Sequence, residues 1–166
     1  CVRFAMEGME TSFDFVISGI NRGLNIGVDV LYSGTLGAVF EAASFGVPAV
    51  ALSTKSGGFE EAIEALDEIK DFFIRHELMK KNSLYNINIP IHHKGIRITR
   101  MGERYYTEGF LSQGNDMYIL TYEEPESDSD DNSIHINATM SGYISVTPLT
   151  LDRTNIPVFE ELKKLN

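Results

Sequence analysis

The sequence predicts an α/β fold, a three-layer, doubly wound and mostly parallel sheet of the Rossmann-like type with a C-terminal β-hairpin arm. Two observations predict it. Apolar strand patterns alternate with helical patterns from Phe13 to Pro90, as in parallel sheets covered by helices. From Gly95 onward, short β-rich segments separated by turn residues replace the helices. We therefore expect an α/β core over 1–95, a β-rich oligomerisation arm with a return to the core over 96–147, and a tail with a short helix over 148–166.

The first predicted strand is Phe13–Ile17, an apolar run interrupted only by Asp14. A loop over Ser18–Gly34 follows, in which glycines alternate with asparagines and an aspartate. Glycine permits positive φ and close approach of the backbone to a ligand. The loop is too long and too regularly punctuated for a simple connection between two elements, so we expect it to have a function.

A helix is predicted over Thr35–Phe45, because this segment is rich in Ala, Leu, Val and Phe. Ser33 or Thr35 can cap its N-terminus, and Gly46 follows its last turn as helix-ending glycines do. A second buried strand is predicted at Val47–Leu52, within which Pro48 prevents any continuation of the helix.

The remaining elements follow from periodicity. Phe59–Lys81 has apolar residues at helical spacing and predicts one amphipathic helix, and Tyr85–Ile89 predicts a strand. Segments Ile96–Thr99, Arg104–Tyr106 and Met117–Tyr122 predict a long hairpin, with turns at Gly109 and at 113–116. The acidic segment 123–133 is predicted to be a solvated loop. A last strand and a terminal helix are predicted at Ile144–Val146 and Pro157–Leu165.

Composition excludes several classes of protein. The net charge of −10 argues against a general nucleic-acid binder, which would have a basic face. No apolar stretch reaches the length of a membrane span, and no signal peptide is recognisable. The single cysteine, Cys1, excludes an internal disulfide and fits a reducing compartment, so we expect a cytoplasmic protein. An isolated hairpin is marginally stable in water, which favours packing of the arm against another subunit.

Residues Ser33-Gly34-Thr35 open the first long helix and suit an anion. The first N–H groups of a helix are unpaired, the helix dipole favours negative charge there, and two hydroxyls add donors. These residues are therefore a candidate phosphate or carboxylate site. Ordinary helix capping explains the same three residues and stays open as an alternative.

Residues 18–35, SGINRGLNIGVDVLYSGT, resemble the signature of the SurE family, the survival-protein-E nucleotidases. The family pattern is S-G-x-N-x-G-x-N-x-G-x-D-V-x-Y-S-G-T followed by a small-residue helix with a glutamate, here Glu41. Further resemblances lie at NINIP (86–90), TRMG (99–102) and SVTPL (145–149). The resemblance covers essentially the whole chain and is much more specific than a short glycine motif.

The resemblance implies a phosphatase that depends on Mg²⁺ or Mn²⁺ and acts on the 5′ or 3′ phosphate of nucleoside monophosphates. It assigns a metal ligand to Asn21 and the phosphate pocket to Asn25, Ser33, Gly34 and Thr35. The family's other metal ligands, an Asp-Asp pair and a serine, precede the point at which this sequence begins. The catalytic residues and the general acid therefore stay unassigned. The family's extended arm implies a homodimer or homotetramer.

The chain departs from the family pattern in two places. It opens on Cys1 rather than methionine, in a segment that reads as a helix, so we expect a fragment that lacks the family's first strands. His135 stands where the family carries an aspartate in T-D-x-x-A, which puts local loop contacts in doubt.

Two other functions compete with the phosphomonoesterase. One is a non-catalytic nucleotide or phosphate binder, or an inactive fragment. The other is a dinucleotide-dependent oxidoreductase, because Gly19, Gly23 and Gly27 follow a strand. The glycine spacing is wrong for that class, and the helix does not begin at the glycines.

Overall fold

The computed structural model describes residues 1–103, 107–123 and 131–165. Its main sheet has five strands, β1 (Val16–Arg22), β2 (Ala49–Thr54), β3 (Leu84–Ile89), β4 (Ile96–Ile98) and β7 (Ile144–Pro148), in the order β1-β2-β3-β7-β4. Strands β1, β2 and β3 are mutually parallel, β7 is antiparallel to β3, and β4 is parallel to β7. The predicted α/β class with a mostly parallel sheet is confirmed.

Helices cover both faces of this sheet. Helix α1 (Gly34–Ser44) packs on one face, while α2 (Phe59–Glu64), α3 (Leu66–Arg75) and α4 (Leu78–Lys81) pack on the other. The alternation of side chains along β2 divides the core. Ala49 and Ala51 join the α1 cluster, whereas Val50 and Leu52 join the cluster with α2–α4.

The prediction of one continuous helix over Phe59–Lys81 was wrong, because the structure divides this segment into α2, α3 and α4. The first break lies at Ala65, and the second lies at Glu77, which adopts a left-handed conformation with φ of 51°. The apolar spacing that predicted one helix persists through both breaks because all three helices pack on the same sheet face. Strand β2 also begins two residues later than predicted, after the turn at Gly46, whose φ is 76°.

The arm is a two-stranded sheet of β5 (Thr107–Gly114) and β6 (Met117–Glu123), paired antiparallel. The turn predicted at 113–116 is confirmed, with positive φ at Asn115 and Asp116, but Gly109 lies within β5 rather than in a turn. The predicted strand Arg104–Tyr106 and most of the acidic segment 123–133 lie outside the described residues.

Further helical segments complete the fold in the described residues, among them the 3-10 segment Gly27–Tyr32 between β1 and α1. A π-helical segment, Phe4–Gly8, begins the chain; α5 (His135–Met140), which the sequence patterns did not predict, precedes β7; and α6 (Ile156–Leu162) lies near the C-terminus. The helix predicted over Pro157–Leu165 continues beyond α6 as a 3-10 turn, Lys163–Leu165. Within the described ranges, no helix is long and apolar enough to cross a bilayer.

Candidate functional site

Four polar residues stand side by side across the main sheet. Asn21 of β1 pairs in register with Ser53 of β2, Ser53 with Asn88 of β3, and Asn88 with Ser145 of β7. We call these four residues the polar row. The first three lie near the carboxyl ends of parallel strands, where open α/β sheets bind ligands. Ser53, Asn88 and Ser145 are fully buried, so the row places polar groups inside the core.

Asn21 reaches the polar row through a β-bulge. Between Ser18 and Asn21, two residues of β1 oppose the single residue Leu52 of β2. One of them, Gly19, has φ of 127°, and a Cβ added there would lie 2.3 Å from the Leu52 carbonyl oxygen. The bulge keeps β1 paired beyond Ile17, where the sequence predicted that the strand would end. Bulges commonly redirect a side chain next to a functional site.

The carboxamide of Asn21 is oriented by the loop that follows. Its Nδ2 donates a hydrogen bond to the Gly23 carbonyl oxygen at 2.7 Å, and its Oδ1 accepts none from the residues that the structure describes. A carboxamide oxygen is a ligand that Mg²⁺ and related hard cations take, so Asn21 fits its predicted role. In the described ranges, no three His, Cys, Asp or Glu side chains cluster as a metal site.

Asn25 is bound to the sheet through both its backbone and its side chain. Asn88 Oδ1 accepts from the Asn25 N–H at 2.8 Å, and the Nδ2 atoms of Asn86 and Asn88 donate to the Asn25 carbonyl at 2.8 and 3.1 Å. The Asn25 Nδ2 donates to Ser53 Oγ at 2.5 Å. The residue is 5% exposed. The structure thus places Asn25 against the polar row, with its side-chain nitrogen directed at β2.

Asn86 carries an unsatisfied acceptor beneath the same loop. Its side chain is fully buried, and its Oδ1 accepts no hydrogen bond in the described part of the chain. Buried polar atoms without a partner are rare in folded proteins and often mark a place completed by water, an ion or a ligand. The atom lies on the carboxamide that donates to the Asn25 carbonyl.

The predicted helix N-terminus is confirmed at Ser33, and Thr35 lies inside the first turn of α1. Ser33 Oγ accepts from the Leu36 N–H at 3.1 Å, so this hydroxyl caps the helix. Nothing lies within 4 Å of the position that a Cβ would take on Gly34. The open space and the unpaired N–H groups suit an anion. The phosphate role of Asn25, Ser33, Gly34 and Thr35 stays a prediction.

Sequence patterns missed the part played by His135. The imidazole is fully buried at the start of α5, and its Nε2 accepts from the Gly27 N–H at 2.9 Å. Burial lowers the pKa of His135 to about 4, although a hydrogen bond to the Arg100 carbonyl opposes this shift. The departure from the family's aspartate was the only signal in the sequence. In this chain the imidazole itself contacts the loop of the candidate site, through the Gly27 N–H.

The geometry excludes a dinucleotide site built on Gly19, Gly23 and Gly27. Gly19 lies within β1, and α1 begins at Gly34, so these glycines do not form a tight turn between a strand and a helix N-terminus. A dinucleotide-binding turn requires both features within a few residues of each other.

Comparison with known proteins identifies the family. The profile of the family described as Survival protein SurE matches residues 1–108. A protein from Caldanaerobacter subterraneus subsp. tengcongensis named 5′-nucleotidase SurE is 40% identical over 176 residues, covering 100% of this chain and 68% of its own length. One of the same name from Desulforamulus reducens is 39% identical, covering 93% of this chain and 65% of its own length.

A solved structure agrees with these sequence matches. The crystal structure of the SurE protein from Aquifex aeolicus matches with a TM-score of 0.77 and 32% identity, covering 99% of this chain and 71% of that one. The chain spans about two thirds of the length of the curated relatives, with 68% and 65% for the two named above. The sequence signature, the fold and both kinds of comparison agree, and the chain belongs to the SurE family, which includes hydrolases named as 5′-nucleotidases.

Proposed function

We propose that this chain belongs to a metal-dependent phosphomonoesterase that releases phosphate from nucleoside monophosphates. The observation that carries the proposal is the polar row, in which Asn21, Ser53 and Asn88 are in register at the ends of three parallel strands. The loop that follows β1 folds over this row and ends at the open N-terminus of α1. The names of the relatives supply the reaction class.

In this proposal, Asn21 holds a divalent cation, Mg²⁺ or Mn²⁺, through its carboxamide oxygen. When bound, such an ion polarises the phosphoryl group and makes a water molecule more acidic. A neutral carboxamide oxygen does not balance two positive charges. The family resemblance implies an Asp-Asp pair among the metal ligands, and such carboxylates would balance the charge.

The phosphate oxygens are assigned to the start of α1. The backbone N–H groups of Gly34 and Thr35 and the hydroxyl of Thr35 would donate to the non-bridging oxygens, while Ser33 fixes the helix end. Donors fixed by the fold stabilise the charge that develops on phosphate without having to reorganise. Asn25 is hydrogen-bonded to Asn88, Ser53 and Asn86, and these contacts would fix the position of the loop, and with it α1, relative to the polar row.

The arm is proposed to join subunits in a homodimer or homotetramer. Large apolar side chains on β5 and β6 are exposed, with Phe110 at 72% and Tyr118 at 61%. Exposed apolar surface of this extent typically marks an interaction site. The partners in this proposal are therefore a nucleoside monophosphate and further copies of the same protein. The net charge of −10 disfavours a nucleic-acid polymer.

The metal assignment is tested by comparing Asn21→Ala with Asn82→Ala. Both side chains are partly buried, and each donates through Nδ2 to the carbonyl two residues later, Gly23 or Leu84. Asn82 Nδ2 also donates to the Leu149 carbonyl at 3.0 Å, so Asn82→Ala should cost at least as much stability as Asn21→Ala, and a greater loss of activity in Asn21→Ala would come from the metal role. We expect phosphate release from a nucleoside monophosphate to require Mg²⁺ or Mn²⁺ and to fall about tenfold or more in Asn21→Ala only. Chelator-insensitive turnover would reject the metal; nucleotide binding without turnover would favour the non-catalytic binder.

The phosphate assignment is tested by comparing Gly34→Ala with Gly37→Ala. Neither glycine has any neighbour within 4 Å of its Cβ position, and neither has a positive φ. Each substitution should therefore leave stability unchanged or raise it slightly. If phosphate binds at the first turn of α1, the methyl group of Gly34→Ala fills that space and KM for the nucleotide rises, whereas Gly37→Ala has wild-type KM. Equal KM values for the two variants would contradict phosphate binding at the first turn of α1 and favour the alternative that these residues only cap the helix.

A further inference from the structure

A buried histidine links the loop of the candidate site to the segment that follows β4. His135 is the first residue of α5 and is fully buried. Its Nε2 accepts from the Gly27 N–H at 2.9 Å. Its Nδ1 lies 3.1 Å from the Arg100 carbonyl oxygen and 3.0 Å from the Gly102 nitrogen. The ring thus connects two segments separated by more than seventy residues.

The hydrogen-bond partners limit the protonation state of this ring. Nε2 faces the Gly27 N–H, whereas Nδ1 faces the Arg100 carbonyl oxygen as well as the Gly102 N–H, so in the described part of the chain only Nδ1 has an acceptor for a ring proton. A neutral imidazole then has its proton on Nδ1, where the Arg100 carbonyl can accept it. With that proton in place, Nδ1 cannot also accept from the Gly102 N–H. A neutral ring has one lone pair for hydrogen bonding, so it can satisfy either the Gly27 N–H or the Gly102 N–H but not both. The doubly protonated ring satisfies neither donor.

Gly27 is the residue at which the loop turns toward the phosphate end of the site. It has φ of 56°, is buried, and starts the 3-10 segment Gly27–Tyr32 that leads to the N-cap Ser33. Two residues earlier, Asn88 holds Asn25 in the same manner, through a side-chain acceptor for a backbone N–H. The loop is therefore attached to the sheet at Asn25 and to α5 at Gly27.

We propose that His135 is a positioning residue: with its proton on Nδ1 and its Nε2 lone pair on the Gly27 N–H, it holds the loop in the conformation that brings α1 to the phosphate. The expected effect on phosphate binding rests on the proposed function, whereas the hydrogen bond between His135 and Gly27 is independent of that function. His135 touches neither phosphate nor metal in this scheme. It acts through Gly27 and the 3-10 segment.

The matched variants are His135→Gln and His135→Phe, with Thr139→Val as control. Glutamine can place an amide oxygen near the position of Nε2, whereas phenylalanine keeps the ring volume and leaves Gly27 without an acceptor. The Thr139 hydroxyl donates to the His135 carbonyl and shares a second hydrogen bond with the Ser145 hydroxyl, so its replacement weakens α5 without removing the acceptor of Gly27. General loosening of α5 is thereby separated from loss of the Gly27 contact.

Two measurements test the proposal in the whole protein. Nitrogen NMR of labelled histidine should show the Nδ1–H tautomer for His135, and the Gly27 amide should exchange slowly in wild type, His135→Gln and Thr139→Val. In His135→Phe, Gly27 exchange should accelerate and KM should rise about tenfold with a smaller change in kcat, because the Gly27 N–H without an acceptor disfavours the loop conformation that binds phosphate. An Nε2–H tautomer, or wild-type KM in His135→Phe, would overturn the proposal. A wild type that releases no phosphate would reject the proposed function and leave the NMR result to decide.

Discussion

The Asn88 side chain pairs with both backbone polar groups of Asn25. Its Oδ1 accepts from the Asn25 N–H at 2.8 Å, and its Nδ2 donates to the Asn25 carbonyl at 3.1 Å. A carboxamide has the same donor and acceptor arrangement as a peptide group, so the side chain substitutes for a neighbouring strand. The loop thereby gains sheet-like pairing although it belongs to no strand.

Asn88→Ala should therefore destabilise the fold by about 1–3 kcal/mol, because it leaves the buried Asn25 N–H without its acceptor, while the Asn25 carbonyl keeps its second donor, Asn86 Nδ2. The free energy of unfolding in urea measures this loss. Asn155→Ala is the control, since Asn155 caps the exposed α6 through one hydrogen bond to the Val158 N–H. It should cost about 1 kcal/mol or less. Equal losses of unfolding free energy in the two variants would show that the contacts between Asn88 and Asn25 stabilise the fold no more than an exposed helix cap does.

Gly19→Ala should destabilise by about 3 kcal/mol or more, because the new Cβ would meet the Leu52 carbonyl at 2.3 Å in a backbone region that disfavours side chains. Gly46→Ala is the matched control. It also has positive φ, 76°, but open space around its Cβ position. The difference in unfolding free energy between the two variants isolates the steric clash. A Gly19→Ala protein as stable as Gly46→Ala would mean that β1 has no tight bulge.

Stability should depend on pH through His135. Its folded pKa is about 4, below the ordinary value of 6.5, so the unfolded chain takes up a proton first as pH falls. The free energy of unfolding is therefore unaffected above pH 6.5 and decreases between pH 6.5 and 4. This one group contributes a loss of about 3 kcal/mol. In His135→Gln this part of the decrease should disappear, whereas an unchanged pH profile would contradict the assignment.

The arm is tested by Phe110→Asp, with Ile74→Asp as control. The two residues are similarly exposed, 72% and 68%, but Phe110 lies on β5 of the hairpin whereas Ile74 lies on α3. We expect Phe110→Asp to lower the molar mass measured by analytical ultracentrifugation, because a carboxylate would be buried between subunits. Ile74→Asp should keep the wild-type mass. The reverse result would place the subunit contact on the α3 face.

Much of the fold could be predicted because its strands are apolar and bounded by strong signals. Gly46 and Pro48 separated α1 from β2, and Pro90 ended β3. The bulge at Gly19 could not be predicted, because a glycine after an apolar run reads as the end of a strand. The three-way division of the Phe59–Lys81 helix has the same kind of cause. Its breaks depend on backbone conformation at Ala65 and Glu77, which helical periodicity does not reveal.

The candidate site divides in a similar way. The loop signature and the cap at Ser33 could be found in the sequence, and the resemblance assigned roles to Asn21 and Asn25. Which residues hold the loop could not be found, because Asn86, Asn88 and His135 contact it from elements sixty to more than one hundred residues away. Such pairing depends on strand register and helix docking, which have no local sequence pattern.

The alternation along β2 directs small side chains to one face of the sheet and larger ones to the other. Ala49 and Ala51 lie beneath α1, whereas Val50 and Leu52 face α2–α4. The spacing between packed elements follows the size of the side chains at the contact, so two methyl groups let α1 approach closely. Enlarging either alanine would lift the whole helix, and Ser33 with it, away from the strand ends. Adaptation of the site by substitution is therefore far more constrained on the α1 side than on the opposite side, where larger side chains can exchange with one another.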